Sequence, residues 1–265
     1  MYMQIHGWSR YSKIPNQDDH HMHSHTGHEI YCFLSGDAYY MVEGTRYQLS
    51  PGDVLIMRRG ETHHLILRSN TPYRRVIASF EDLSFLPDEM AERLLAPFNN
   101  RPLGEYNQYK AVQFPETHWV YYLEKIADSQ KQDERMCYLL PLLNEISAAF
   151  ETVKKNPSPD KTTTVAKIIE YINRHLWDDM TLSFLCEKFY ISPAQINRLF
   201  REATGATVWK YITVKRLFLA RELLEAGVSP TNVYAECGFN DYTTFYRAYK
   251  NYFDISPSSS YKKLK

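Results

Sequence analysis

The sequence lacks long apolar runs and closely spaced cysteines, and both absences exclude classes of protein. A membrane-spanning helix needs roughly 18 consecutive apolar residues. No stretch approaches that length, so we expect no membrane segment. The opening MYMQIHGWSR also lacks the basic and then apolar layout of a secretory signal. We therefore expect a cytoplasmic protein with free thiols. The cysteines are Cys32, Cys137, Cys186 and Cys237.

The chain also lacks net charge, but the two halves differ. Residues 161–265 contain 15 Lys and Arg against 10 Asp and Glu, whereas residues 1–160 contain 16 against 21. A basic C-terminal segment favours a polyanionic partner. The length of 265 residues allows one large domain or two ordinary ones.

Six short runs rich in β-branched and aromatic residues lie between Ile30 and Phe80. They are IYCFLSG, AYYMVEG, RYQLSPG, DVLIMRRG, HLILRS and YRRVIASF. Each is bounded by Gly, Pro, Ser or Asn, and this spacing is typical of an antiparallel sandwich or barrel. The sequence therefore predicts a β domain in the N-terminal half.

The pattern then becomes helical in WVYYLEKIADSQ and ERMCYLLPLLNEISAAFETV. Such amphipathic helices bury their apolar stripe either on the sheet domain or on a second copy of the chain. The stripes are wider than packing on one small barrel requires, which predicts a homodimer contact. The polar segment KKNPSPDKTTT (154–164) predicts a linker, and everything after it is predicted to be helical.

The last hundred residues contain an internal repeat. A shift of 49 residues aligns LSFLCEKFYISPAQINRLFREATG (182–205) with TNVYAECGFNDYTTFYRAYKNYFD (231–254). Each copy predicts a short helix, a tight turn and a second helix, with Ser192 and Asp241 as the N-caps of the second helices. This is the helix-turn-helix pattern, in which the second helix enters the DNA major groove.

One long helix is predicted between the two copies, from about Val208 to Glu225. Its length is roughly 27 Å at about 1.5 Å per residue. With the flanking turns, this brings two recognition helices near the roughly 34 Å between successive major grooves. A single chain is therefore predicted to contact two adjacent groove segments.

Residues from about 165 to 262 resemble the DNA-binding domain of the AraC/XylS family of bacterial transcription regulators. The resemblance lies in RLFREATG, KRLFLARELL and ECGFNDYTTFYRAYKNYFDISPSSSY. It implies double-stranded DNA as a partner, and RNA polymerase if the protein is an activator. The implied DNA-contacting residues are Ala194, Asn197, Arg198, Arg201, Tyr242, Thr243, Thr244, Arg247 and Lys250.

These contact positions differ in what they can recognise. Ala194 is small where some family members carry a bulky residue, so the first helix is expected to rely on Arg198. A guanidinium suits the O6 and N7 atoms of guanine. Arg201 and Lys250 are as readily solvated or phosphate-contacting as base-specific.

A second cluster of unusual composition is HHMHSHTGHE (20–29), which contains five of the ten histidines. Alternate residues of an extended strand share a face, so His23, His25 and Glu29 are predicted to point the same way, with Tyr31 following. His63 begins another predicted strand. The four histidines next to these in the chain are expected to be exposed or half-exposed. They are His20, His21, His28 and His64.

The spacing of His23, His25, Glu29 and Gly36, with His63 later in the chain, resembles the cupin barrel. In metal-binding cupins the three imidazoles and the carboxylate hold one divalent ion, such as Fe, Mn, Ni, Cu or Zn. The resemblance predicts that these side chains converge on one cavity.

The second half of the cupin motif departs from the usual pattern, with Arg58 in place of proline and Leu67 in place of asparagine. In AraC-type regulators the cupin domain typically binds an effector and dimerises, often without metal. Three uses of the cluster therefore stay open: an effector pocket, a divalent metal site, or hydrogen bonding at the mouth of the barrel. The effector-binding candidates are His23, His25, Glu29, Tyr31 and His63.

Together these patterns predict an α+β chain with a cupin-like effector-binding domain over 1–117 and a helical dimerisation region over 118–153. A linker over 154–164 and an all-α DNA-binding domain over 165–265 follow. The leading interpretation is a ligand-responsive regulator, an activator of a carbohydrate or other small-molecule catabolic operon, with no required cofactor and no catalytic activity. The 21 tyrosines suit a sugar effector, because aromatic faces stack on pyranose rings.

Two alternatives remain. The first is a metal-dependent cupin enzyme, such as an isomerase or dioxygenase, which leaves the duplicated helix-turn-helix without a purpose. The second is a DNA-binding protein whose cupin domain only dimerises.

Overall fold

The computed structural model describes residues 4–17, 20–156 and 163–261. The chain divides into two compact units, residues 1–160 and residues 161–265. Every strand of the described residues lies in the first unit, and the second is helical. The predicted α+β class is confirmed. None of the helices in these described ranges has the length and apolarity that membrane crossing requires.

The strands of the N-terminal unit form two facing antiparallel sheets. They are β1 (Ile5–Ser12), β2 (His28–Ser35), β3 (Ala38–Val42), β4 (Thr45–Gln48), β5 (Val54–Met57), β6 (His63–Leu67), β7 (Tyr73–Phe80) and β8 (Gln108–Tyr109). The sheet orders are β1-β7-β2-β5-β8 and β4-β3-β6. Strands β2 to β7 fall on the six predicted runs, whereas β1 and β8 were not predicted.

The central strands β2 and β5 of the five-stranded sheet are buried on both faces. In β2, Ile30 and Cys32 join a core that lies under helices, whereas Tyr31 and Phe33 point into the barrel interior toward the second sheet. This alternation follows from the pleat of a strand. It explains why the β runs of the sequence are apolar at both odd and even positions.

Three helices follow in the same unit: α1 (Asp88–Asn99), α2 (Trp119–Asp128) and α3 (Gln132–Lys155). The apolar stripe of α3, including Leu142 and Ile146, is fully buried in the core beneath the sheet. The premise that this stripe is wider than the barrel can bury is therefore wrong, because the outer face of the sheet itself needs a cover. The homodimer contact stays a prediction. At Gly7 of β1 a Cβ would lie 2.7 Å from the carbonyl oxygen of Ile126, so α2 packs directly on the strand backbone.

A buried ion pair anchors the turn between β5 and β6. The side chains of Glu61 and Arg101 are both fully buried. Arg101 Nη2 lies 2.6 Å from Glu61 Oε2, and Arg101 Nη1 lies 2.8 Å from Glu61 Oε1. Glu61 also accepts hydrogen bonds from the backbone N–H of Gly104 and from the Asn107 side chain. Burial alone would raise the pKa of Glu61, but the Arg101 guanidinium lowers it to about 2. The pair therefore fixes the backbone two residues before His63.

The C-terminal unit contains α4 (Thr164–Arg174), α5 (Leu182–Phe189), α6 (Pro193–Thr204), α7 (Val208–Glu225), α8 (Val233–Glu236), α9 (Tyr242–Phe253) and α10 (Pro257–Ser260). The two helix-turn-helix copies are α5–α6 and α8–α9, joined by α7. The first helix of the second copy is only one turn long, shorter than its counterpart α5.

The second helix of each copy begins at the predicted cap. The Ser192 hydroxyl accepts a hydrogen bond from the backbone N–H of Gln195, and the Asp241 carboxylate accepts one from that of Thr244. Each satisfies a free donor of the first helical turn. Most of the predicted linker 154–164 falls on residues 157–162, outside the described residues, while α3 ends at Lys155 and the side chain of Thr163 caps α4.

We expect Glu61→Gln to destabilise the N-terminal unit by about 3–5 kcal/mol, because it leaves a buried guanidinium without a counter-charge. Urea unfolding of the full chain, followed by circular dichroism and tryptophan fluorescence, measures the loss. The matched control is Glu124→Gln, which breaks the part-exposed pair with Arg74 and should cost less than about 1 kcal/mol. Equal losses for the two variants would contradict the role assigned to the buried pair.

Candidate effector site and nucleic-acid interface

Three histidines and a glutamate meet at one end of the barrel. His23 precedes β2 and pairs with His63, the first residue of β6, through two backbone hydrogen bonds of 2.9 and 3.1 Å. The ring centroids of His23 and His63 are 4.4 Å apart, and that of His25 is 4.9 Å from the former and 5.2 Å from the latter. Glu29 of β2 lies beneath them, with Oε2 2.8 Å from His25 Nε2. The structure thus brings the four sequence candidates together.

The tautomers of two imidazoles follow from their backbone partners. His63 Nδ1 lies 2.8 Å from the carbonyl oxygen of Glu61, and His23 Nδ1 lies 2.7 Å from that of His21. A carbonyl only accepts, so each Nδ1 carries the hydrogen and leaves the Nε2 lone pair free. His63 Nε2 and Glu29 Oε1 are both buried and have no hydrogen-bond partner within the described part of the chain.

The four side chains of the cluster differ in charge: Glu29 is ionised, His23 and His63 are neutral, and His25 is shifted toward its charged form. Burial lowers the pKa of His63 to about 3 and also lowers that of His23, so both rings are neutral at pH 7. Burial would raise the pKa of Glu29, but the hydrogen bond from His25 and the neighbouring imidazoles lower it to about 2. For His25, burial opposes the charged form, yet the bond to Glu29 outweighs it and the pKa is raised.

This donor set fits a divalent transition metal. One ligand atom from each of His23, His25 and His63 lies within 4.8 Å of the other two. Neutral imidazoles with a carboxylate suit Fe, Mn, Ni, Cu or Zn. His63 Nε2 and Glu29 Oε1 lie 3.6 Å apart, and each is without a hydrogen bond that such an ion would replace.

Four neighbouring histidines were expected to be exposed or half-exposed, and for three of them this expectation is wrong. His21 is exposed, but His20, His28 and His64 are buried. His28 stacks on Phe80 and meets the edge of Phe98 from α1, with ring centroids 5.1 and 4.9 Å away. A helix that the sequence did not predict therefore covers it. Burial lowers the pKa of His28 and of His64 to about 4.

Aromatic side chains extend from the cluster into the barrel. The Tyr40 ring stacks 5.9 Å from His63 and lies 4.6 Å from Tyr31, whose hydroxyl is 2.7 Å from that of Tyr73. Arg75 follows Tyr73 on the same face of β7. The sequence pattern identified Tyr31 but not Tyr40, Tyr73 or Arg75. The alternation of Tyr73, Arg75 and Ile77 along β7 shows that these three share a face, but it does not show that this face points into the barrel.

Helix α6 exposes the predicted positions of the first motif unequally. Ala194, Arg198 and Arg201 are exposed, whereas Asn197 is half-buried and its amide donates to the carbonyl of Pro193. Arg198 Nη1 lies 2.8 Å from Glu202 Oε1, one turn along the helix. Arg198 is thus exposed but paired within its own helix, whereas no ion pair is found for the exposed Arg201 among the described residues.

Helix α9 presents a larger polar surface. All five of its predicted contact residues are exposed, whereas Phe245 and Tyr249 on the opposite side are completely buried. The five are Tyr242, Thr243, Thr244, Arg247 and Lys250. The aromatic residues of this helix thus divide between core and surface, as an amphipathic helix requires.

A buried arginine fixes the two motifs to the joining helix. Arg216 of α7 donates through Nε to the carbonyl of Leu176 and through its Nη atoms to those of Asp178 and Gly238. Leu176 and Asp178 precede the first motif, and Gly238 lies in the turn of the second. A Cβ at Gly238 would lie 2.8 Å from the Arg216 guanidinium carbon. Sequence reasoning missed Arg216, because a cation within a helix ordinarily indicates an exposed face.

Comparisons with known proteins match both units. The model of the AraC-like ligand binding domain matches residues 6–97, and that of a helix-turn-helix domain matches residues 185–263. The HTH-type transcriptional regulator YbfI of Bacillus subtilis is 25% identical over 86% of this chain and 80% of its own length. The HTH-type transcriptional activator RhaS of Escherichia coli is 25% identical over 91% of this chain and 87% of its own length.

Among solved structures, ToxT from Vibrio cholerae aligns with 97% of this chain and 96% of its own, at 14% identity and a TM-score of 0.40. The sequence relatives are matched across both units, not over the helix-turn-helix segment alone. The chain belongs to the AraC family of ligand-responsive, DNA-binding transcription regulators.

Proposed function

We propose that this regulator activates a catabolic operon for a carbohydrate or another small molecule when that effector binds in the N-terminal barrel. The observation that carries the proposal is the convergence of His23, His25, Glu29 and His63, with unpartnered buried atoms, in the unit matched by the ligand-binding model. Activation is supported by RhaS, which is named an activator. RNA polymerase is then a second partner besides the operator.

For the DNA contacts, we propose that α6 and α9 both enter the major groove. Arg198 and Arg247 are exposed and occupy equivalent positions of the 49-residue repeat. Arg201 and Lys250 lie three residues further on in each helix and are also exposed, and in this proposal they contact phosphates. The rigid connection through α7 and Arg216 supports simultaneous insertion.

We expect Arg198→Ala and Arg247→Ala each to weaken operator binding by about 1–3 kcal/mol and to relax base preference locally. Arg201→Ala and Lys250→Ala should weaken binding to every sequence and reduce its salt dependence. The measurement is titration at two salt concentrations, on random DNA and on an operator selected by the wild-type protein from a random library.

A matched control is Glu202→Gln, which releases Arg198 from its ion pair and should not weaken operator binding. Equal losses on both DNAs for the two arginine variants would contradict base recognition. A selective loss for Arg247→Ala alone would leave α9 as the only helix that contacts bases. Unchanged binding for all four variants would contradict the proposed DNA contacts altogether.

For the histidine cluster, we propose that His23, His25, His63 and Glu29 hold a divalent transition metal that forms part of the effector site. A bound ion would supply an electrophile for hydroxyl or carboxylate oxygens of the effector. The rings of His63 and His23 are already neutral and the Glu29 carboxylate is already ionised, as ligation requires, whereas His25, whose pKa Glu29 raises, would give up its proton to the ion.

Elemental analysis of the purified full chain should find about one equivalent of metal, and Co²⁺ should give a visible absorption spectrum of ligated cobalt. His63→Ala should reduce metal affinity at least about tenfold. His64→Ala is the matched control, since His64 is the neighbouring buried histidine on the opposite face of β6. A wild-type protein that binds no added metal would contradict the proposed metal site and leave an effector pocket without metal. Turnover of a substrate by the metal-loaded protein would support the enzyme alternative.

We further propose a homodimer whose contact lies on the outer side of α2 and α3. Tyr121 is half exposed there, and its ring lies 5.6 Å from Tyr122 and 6.3 Å from Tyr138. Exposed aromatic groups of this kind are enriched in protein interfaces.

Tyr121→Glu should weaken dimerisation by about 2 kcal/mol, because it would bury a charge in the contact. Sedimentation equilibrium of the full chain measures it, with Tyr11→Glu, an exposed tyrosine on β1, as the unaffected control. A wild-type monomer at high concentration would contradict the dimer.

A further inference from the structure

The barrel interior contains a cation that the proposed site does not use. Arg75 lies on β7 between Tyr73 and Ile77, which both belong to the core between the two sheets. Its neighbour Arg74 points to the other face and pairs with Glu124 at 3.0 Å. Two consecutive arginines therefore have opposite environments, one outside and paired, the other facing inward.

The surroundings of Arg75 are aromatic and neutral. Its Nη1 lies 3.5 Å from the Tyr73 hydroxyl, and its guanidinium carbon lies 5.8 Å from the centre of the Tyr73 ring. Tyr73 in turn lies 2.7 Å from the hydroxyl of Tyr31. Burial raises the pKa of both phenols, so neither supplies a negative charge at pH 7.

Arg75 is half-buried, and one of its donors has no partner. Arg75 Nε is buried without a hydrogen-bond partner, and no carboxylate pairs with Arg75 within residues 4–17, 20–156 and 163–261. Leaving a buried donor unpaired costs free energy, and a charged one costs more. A ligand with an acceptor group in the barrel would satisfy this donor.

Arg75 and the histidine cluster belong to one continuous interior. The ring of Tyr31, which joins Tyr73, lies 4.6 Å from Tyr40, and Tyr40 lies 5.9 Å from His63. His20, from the segment that carries the cluster, packs edge-on at 5.7 Å against Tyr73. A molecule bound at the cluster thus has Arg75 on the far side of these tyrosines.

We infer that Arg75 binds the carboxylate of the effector, so that the effector is a small organic acid such as a sugar acid and not a neutral sugar. The inference rests on the proposed effector site in the barrel and names its ligand class. A guanidinium offers Nε–H and Nη–H in a fixed fork that matches the two oxygens of a carboxylate. The hydroxyls of Tyr31 and Tyr73 lie beside that fork, where they suit the hydroxyl groups next to the acid.

The direct experiment compares acids with their neutral partners on the full chain by calorimetry and thermal shift. The probe pairs are galacturonate with galactose, glucuronate with glucose, and lactate with propane-1,2-diol, and galactose 6-phosphate is a separate anion. At least one acid is expected to bind at least about tenfold more tightly than its neutral partner. If no acid of the panel binds better than its partner, or if only the phosphate ester binds, the inference is overturned.

Variants then test whether Arg75 is responsible. Arg75→Met should abolish the preference for the acid, and Arg75→Lys should retain only part of it, since an ammonium keeps the charge without the fork. Arg74→Met, on the outer face of the same strand, should leave binding unchanged. Circular dichroism establishes that each variant is folded. If Arg75→Met does not fold, Arg75→Lys is the deciding variant, and an unchanged preference for the acid in Arg75→Lys overturns the inference. A folded Arg75→Met that binds the acid as tightly as the wild type overturns the inference.

Operator titration in the presence of the bound acid separates this inference from the proposed function. An acid that needs Arg75 but leaves operator binding unchanged supports the site and contradicts its regulatory role. A neutral compound that changes operator binding equally in the wild type and in Arg75→Met supports the regulatory role and overturns the acid as effector.

Discussion

The pairing of β2 with β7 is the constraint on which the N-terminal site depends. Its register places Glu29 opposite Ser79, Tyr31 opposite Ile77 and Phe33 opposite Arg75. Because successive side chains alternate between faces, a slip of one residue would turn this whole set toward the helices. Both faces of β2 are buried, so such a slip would exchange two well-packed surfaces at once. The position of the site is thus as stable as the core of the barrel.

In the C-terminal unit, the comparable constraint is the set of three carbonyls around Arg216. They come from Leu176 and Asp178 on one side and Gly238 on the other, so one side chain fixes both motifs to α7. The short helix α8 adds little hydrophobic area of its own. A charged group with three backbone partners compensates for that small area, and Gly238 provides the space for it.

Local signals in the sequence predicted much of this structure. The β runs and the two capped helices depend on neighbouring residues, and they were found at their predicted places. The buried state of His28 could not be predicted, because it depends on Phe98 of a helix about seventy residues later. The choice between the two partners open to the α3 stripe could not be made for a related reason, since its partner is the outer face of a sheet formed by distant residues. Arg75 was missed because charge ordinarily indicates a surface position.

The segment before β2 acquires a specific role from these contacts. Tyr31 and Tyr73 are completely buried, so a ligand reaches them only after some cover has moved. His20 packs on Tyr73, and His23 holds the same segment to His63 through two backbone hydrogen bonds. An effector bound in the interior, as proposed, would compete with these contacts or rebuild them around itself. Its differential affinity for the two arrangements would then set how far it shifts the N-terminal unit from one to the other.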